Sequence, residues 1–153
     1  MSSLEKAKKR ALRILGSRNL SEKELTKRLI DKGESAEDAE AAVAWLVELK
    51  YVDDDEYASQ IVRHYSKRGY GEARVRDELY RRGIPRELWD DKLGELDEVN
   101  MEDVALEFLN KKLRGSTDKD DLRRATDALV RRGFSYDDAR RALNSYVDSV
   151  DKC

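Results

Sequence analysis

Apolar residues recur along this chain at the i, i+3, i+4 spacing of a single helix face, and glycine, serine or aspartate breaks the pattern at short intervals. Residues 3–17 carry Leu4, Ala7, Ala11, Leu12 and Leu15 on one stripe, with Lys8, Lys9, Arg10 and Arg13 on the other faces. Gly16 to Leu20 interrupt this first helix. Ser21-Glu22-Lys23-Glu24 reads as a capping box, in which the serine hydroxyl accepts from a free amide and the glutamate reaches back. The helix it starts holds Leu25 and Leu29 and stops at Gly33, a left-handed cap. Ser35 caps a third helix whose inner face is Ala39, Ala42, Val43, Leu46 and Leu49.

The same grammar continues. Asp53 or Asp54 caps a fourth helix with the stripe Tyr57, Ala58, Ile61, Val62 and Tyr65, and Gly69 and Gly71 bracket Tyr70 at its end. A fifth helix carries Val75 and Leu79 and stops at Gly83. Pro85 stands where a sixth begins, and that helix buries Leu88, Trp89, Leu93 and Leu96. Residues 94–100, GELDEVN, are acidic and weakly patterned, and are expected to form a flexible joint. Val104, Ala105, Phe108, Leu109 and Leu113 mark a seventh helix, and Arg114 to Thr117 make a turn. Leu122, Ala125 and Leu129 mark an eighth, ending at Gly133. Ser135 caps a ninth, with Ala139, Leu143, Tyr146, Val147 and Val150 inward.

Three of these stretches are copies of one another. Gly33, Gly83 and Gly133 lie 50 residues apart, as do Leu29, Leu79 and Leu129, and Lys32, Arg82 and Arg132 precede the glycines. The first-helix alanines Ala11, Ala58 and Ala105 are 47 apart, so the loop between first and second helices absorbs the difference. Agreement in register at several positions is the mark of tandem duplication. The expected architecture is all-α: about nine helices in an elongated, curved array of three tandem three-helix repeats, bounded at 1–50, 51–97 and 98–153.

Composition supports this. Charged residues make up 42% of the 153 and hydrophobic ones 39%, with a single proline, which suits thin helices that bury a narrow stripe and solvate the rest. The net charge is −2, and residues 1–50 carry 11 basic against 9 acidic side chains, 51–100 carry 9 against 13, and 101–153 carry 11 against 11. No third of the chain is an electropositive module, which argues against strong non-specific nucleic-acid binding, though local basic faces remain open. Cys153 is the only cysteine, so no internal disulfide and no zinc cluster is expected. With no long apolar run and no signal peptide, the simplest compartment is a reducing cytoplasm, with no contact to membrane.

Catalysis finds no support. His64 is the single histidine and reads as a surface residue, no glycine-rich phosphate loop is present, and no cofactor or metal is expected. Asp53 to Glu56 fit helix capping better than the alternating ligands of a calcium loop. The basic residues of the middle copy carry more. Arg74, Arg81 and Arg82, with Arg63, Lys67 and Arg68 near in sequence, read as a positive ridge; the alternative is a solvated face stitched by pairs such as Arg74–Glu78. A helix-turn-helix that reads DNA is a third reading, weakened by the acidic balance.

Tyr51-Val52-Asp53-Asp54-Asp55-Glu56-Tyr57-Ala58, followed by Gly69-Tyr70-Gly71-Glu72-Ala73-Arg74-Val75-Arg76-Asp77-Glu78-Leu79 and Gly83-Ile84, resembles the RecX family. Ala11-Leu12, Leu15, Arg18, Ser21, Glu24-Leu25, Leu29 and Gly33 agree in the first copy, and the third is looser. Lys50 stands where the family often has glycine, and Tyr57 where phenylalanine is common. The resemblance implies tandem three-helix repeats and a non-enzymatic bacterial regulator of the RecA recombinase. Such a regulator binds the groove of the RecA–DNA filament as a monomer and suppresses ATP hydrolysis, strand exchange and coprotease activity in DNA repair and the SOS response. Partner-binding residues expected on that basis are Arg63, Lys67, Arg68, Arg74, Arg76, Arg81 and Arg82, facing acidic RecA surface or filament DNA. A direct DNA-binding repeat protein and a general helical scaffold are the alternatives.

Overall fold

The computed structural model describes residues 1–97 and 101–151, so Cys153 and the end of the expected 94–100 joint lie outside the described residues. Those residues form nine α-helices and no strand: α1 (Ser3–Leu15), α2 (Glu22–Asp31), α3 (Ala36–Glu48), α4 (Asp54–Lys67), α5 (Glu72–Arg81), α6 (Trp89–Asp97), α7 (Met101–Leu113), α8 (Lys119–Arg131) and α9 (Tyr136–Asp151). One 3-10 turn, Arg86–Leu88, follows Pro85 and leads into α6. None of these helices is long and apolar enough to cross a membrane.

Most helix ends are where the sequence placed them. The capping box of α2 is complete: Glu24 N–H donates to Ser21 Oγ at 3.1 Å and Ser21 N–H to Glu24 Oε1 at 3.0 Å. Ser35 and Ser135 cap α3 and α9 through the amides of Asp38 and Asp138. Of the two candidates at α4, Asp53 is the cap, accepting from Glu56 N–H at 3.1 Å. Asp54 turns away and accepts instead from Glu22 N–H, the first amide of α2, at 2.9 Å. α3 ends in a Schellman turn, with bonds from Tyr51 N–H to the Leu46 carbonyl and from Lys50 N–H to that of Val47, which places Lys50 at φ +65.

Three expectations need correction. Leu12 and Leu49 are exposed, 42% and 47%, because the buried stripe of α1 runs through Ala7 and Ala11 toward Ile14 and Leu15, and α3 ends one residue before Leu49. Gly94 does not open a joint: α6 continues through it to Asp97, since Leu93 and Leu96 are both buried and one glycine costs a helix only about 1 kcal/mol.

The chain divides into two compact units. The first comprises Met1–Ser59 and Leu79–Trp89. Its core joins α1, α2 and α3 around Ala7, Ala11, Leu25, Leu29, Ala42 and Leu46, with Leu20 and Val52 closing it. The turn after α5 docks on the start of α2: Ser21 Oγ donates to the carbonyl of Arg82, and Arg82 Nη1 donates to Tyr57 Oη at 2.7 Å. The second unit comprises 60–78 and the residues from Asp90 onward. Its core joins α7, α8 and α9 around Ala105, Leu109, Leu129, Phe134 and Tyr146. Here the start of α5 docks on the turn after α8. Gly71 N–H donates to the Arg132 carbonyl at 2.9 Å and Ala73 N–H to that of Gly133 at 3.1 Å. A Cβ at Gly71 would stand 2.5 Å from the Gly133 carbonyl, and Gly133 itself sits at φ +100, so both positions require glycine.

Candidate partner-binding site

The seven expected cations fall into unlike electrostatic settings. Arg74 lies over two rings, its guanidinium carbon 5.5 Å from the Tyr65 centroid and 4.8 Å from that of Tyr70, and Nε donates to Glu78 Oε1 at 3.2 Å. Partial burial lowers its pKa and the Glu78 bond and charge raise it, with a net upward shift. Arg76 pairs with Glu72 at 3.5 Å across one turn of α5. Arg63 and Arg81 are exposed and each has an interaction partner. Arg82 is half-buried and spends its side chain on Tyr57. Burial pushes the Tyr57 phenol upward, against the opposing pull of this hydrogen bond. The solvated, internally paired face therefore describes Arg74 and Arg76, and Arg82 holds the fold.

Lys67 and Arg68 differ. They are exposed at the C-terminal end of α4, where cations also offset the helix dipole, and among the described residues no carboxylate pairs with either. Arg68 Nη1 lies 3.4 Å from Nε2 of His64, an exposed histidine whose ring also meets that of Tyr65 edge-on, centroids 5.1 Å apart. Both cations line an open cleft of about 390 Å³ with Lys111, Arg132 and Phe108, where the acid is Glu107, bound to Lys111 at 3.0 Å. Arg132 is the fixed point of this cleft. Its guanidinium stands 4.9 Å from the Tyr70 ring centroid and 4.7 Å from that of Phe108, and Nη1 donates to the Arg68 carbonyl at 3.0 Å.

Sequence reasoning confined to the middle copy missed Lys111 and Arg132. The signal for Arg132 was present, since it is the 50-residue counterpart of Arg82. Lys111 comes from the first helix of the third copy, and only the fold brings it beside Lys67. Arg81 and Arg82 belong to the first unit and take no part in this cleft.

Comparison with known proteins places the whole pattern. The family profiles described as the first, second and third three-helix domains of RecX match residues 7–46, 53–93 and 100–143 in that order. The regulatory protein RecX of Stenotrophomonas maltophilia is 38% identical over 136 residues, covering 87% of this chain and 82% of the relative. That of Salmonella paratyphi A is 31% identical over 156 residues, covering 91% and 90%. Among solved structures, RecX from Lactobacillus salivarius superposes with a TM-score of 0.79 over 99% of this chain and 98% of its own, at 19% identity. A second RecX crystal structure, 22% identical, gives the same TM-score over 93% of this chain and 72% of its own. At that identity these two speak to the fold alone. Three domain profiles in order and two relatives spanning most of their own length leave one assignment: the chain belongs to the RecX family.

Proposed function

We propose that this chain is a modulator of the RecA recombinase that binds the RecA–DNA filament and suppresses its ATP hydrolysis, strand exchange and coprotease activity. What supports the reading is family membership along the whole chain, with all three three-helix domains present and in order. Repeats bounded at 1–50, 51–97 and 98–153 offer successive contact faces. Individually weak contacts, linked on one chain, raise the effective concentration of the next and tighten the whole. A ligand that engages one filament geometry better than another shifts the filament toward it by that difference alone.

Of the seven proposed contacts, Lys67 and Arg68 carry the reading furthest, because their charge is not offset by a carboxylate among the described residues. Arg74 and Arg76 flank them in sequence with charge partly balanced by Glu78 and Glu72, and Arg63 and Arg81 each already have an interaction partner.

Cosedimentation with RecA-coated single-stranded DNA, alongside DNA-dependent ATPase, tests this. The wild type sediments with the filament and slows hydrolysis; failure of both sinks the reading. Lys67→Glu with Arg68→Glu is expected to weaken filament binding roughly tenfold, equivalent to about 1.4 kcal/mol, with helical circular dichroism retained. Undiminished binding by that variant removes the site while leaving the function.

A further inference from the structure

A second basic cleft lies in the first unit, apart from the seven expected cations and from the cleft at Lys67 and Arg68. It is about 430 Å³ in volume and is lined by Arg10, Arg13, Ile14, Ser17, Arg28 and Lys32, four cations with no carboxylate among the lining residues. Arg10 is held in place, 3.0 Å from Glu34 Oε1 and 2.7 Å from the Lys32 carbonyl. Arg13, Arg28 and Lys32 are exposed, and among the described residues no carboxylate pairs with any of them.

The repeat explains why this face is available. Offsets of 47 in the first helix and 50 in the second put Arg10 in register with Tyr57, Ile14 with Ile61, Arg28 with Glu78, and Lys32 with Arg82. In the middle copy Tyr57, Ile61 and Glu78 are buried, at 8%, 4% and 5% exposure. The carbonyls of Arg82 and Arg132 each accept from the preceding copy, from Ser21 and Gly71. The equivalent carbonyl of Lys32 accepts from Arg10 of its own copy. The face that is closed in the second copy is open in the first, and its positions hold cations of one sign.

We propose that this face of the first repeat binds the phosphodiester backbone of single-stranded nucleic acid. Arg13, Arg28 and Lys32 meet phosphate oxygens, and Arg10 stays as the fixed post that shapes the cleft. Nucleic-acid interfaces carry much more positive charge than protein–protein interfaces, and this lining holds four cations and no carboxylate. Guanidinium groups suit phosphate because their planar donors engage two oxygens at once. Half-buried Ile14 and exposed Ser17 are the uncharged members of the lining, and Ile14 offers an apolar surface to a sugar or a base face that only an unpaired strand lays bare. The proposal stands apart from the filament reading, because its probe is the bare strand.

The test is fluorescence anisotropy of short oligothymidylate with the full chain across a salt series. Arg13→Gln with Arg28→Gln should weaken binding roughly tenfold at low salt and flatten the slope of log affinity against log salt by about 1.4, for two lost phosphate contacts at about 0.7 each. Lys6→Gln with Lys9→Gln removes the same charge from exposed positions of α1 outside the cleft and should change affinity less than about threefold, as a long-range effect screened by salt. Equal losses in the two pairs overturn the site, since net charge then explains the binding. Polyglutamate competing as well as the oligonucleotide overturns the assignment in favour of an acidic protein. Concentration-dependent self-association abolished by the Arg13/Arg28 pair, with strand binding intact, overturns it in favour of a second copy of this chain.

Discussion

Lys50 and Asp54 show how single residues depart from what their type suggests. Lys50 occupies the left-handed position of a Schellman turn, where its φ of +65 suits glycine. Relief of about 1–2 kcal/mol of left-handed backbone cost, set against about 0.5–1 kcal/mol of added chain entropy in the unfolded state, predicts that Lys50→Gly stabilises the protein by about 1 kcal/mol. Urea unfolding checks it, and an unchanged or lower midpoint at equal slope refutes it. Asp54 is 6% exposed; Oδ1 accepts from Glu22 N–H, and Oδ2 has no hydrogen-bond partner. Burial, reinforced by the Glu22 carboxylate, raises its pKa from 3.8 to about 6. A carboxyl raised in the fold favours the native state most when protonated, so its contribution is full below about pH 4 and fades as pH rises through 6. Asp54→Asn should remove that dependence: between pH 4 and 7 the wild type should lose on the order of 2 kcal/mol relative to the variant. Parallel profiles for the two proteins would refute the shift. Sequence spacing marked Asp54 as a helix cap and could not say which helix, because the amide it serves belongs to another repeat.

At the scale of elements, the helices were legible almost throughout. Their apolar stripes repeat at helical spacing, and their ends carry serine, aspartate and glycine where free backbone groups need them. The miss at this scale is the end of α6. Gly94 and the residues after it look unpatterned in isolation, and only the burial of Leu93 and Leu96 keeps α6 going to Asp97. Local composition speaks for breaking, tertiary packing decides. Gly71 is the opposite case, a residue read as helix punctuation that turns out to be a point of contact with the Gly133 turn. Gly71→Ala should cost about 1–3 kcal/mol through overpacking against backbone that cannot give way. Chemical denaturation of the full chain measures it, and a neutral substitution would mean that the two turns separate easily.

At the scale of the whole molecule, tandem duplication was readable because several positions keep register through all three copies, and the three domain profiles fall on those same stretches. The candidate surfaces were less readable. Reading charges along the middle copy singled out seven of its nine cations, but charge neutralisation is a property of neighbours. Glu78 and Glu72 offset Arg74 and Arg76, Tyr57 engages Arg82, and Lys67 and Arg68 acquire Lys111 and Arg132 from the third copy. The first-copy cleft was hidden for a related reason. Arg10, Arg13, Arg28 and Lys32 are spread over α1, α2 and the cap of α2 among acids that dilute the count, and they converge only once α1 and α2 pack.

The docking of Gly71 and Ala73 on the turn after α8 has a consequence for hydrogen exchange. Amides in the first turn of a helix have no partner within it and ordinarily exchange with solvent almost as fast as those of an open chain. Here the amides of Gly71 and Ala73 are bonded to the carbonyls of Arg132 and Gly133, in a different repeat. Their protection therefore reports docking between repeats, whereas the interior amides of α5 and α8 report the helices themselves. Exchange at these two sites separates the parting of two modules from the melting of either.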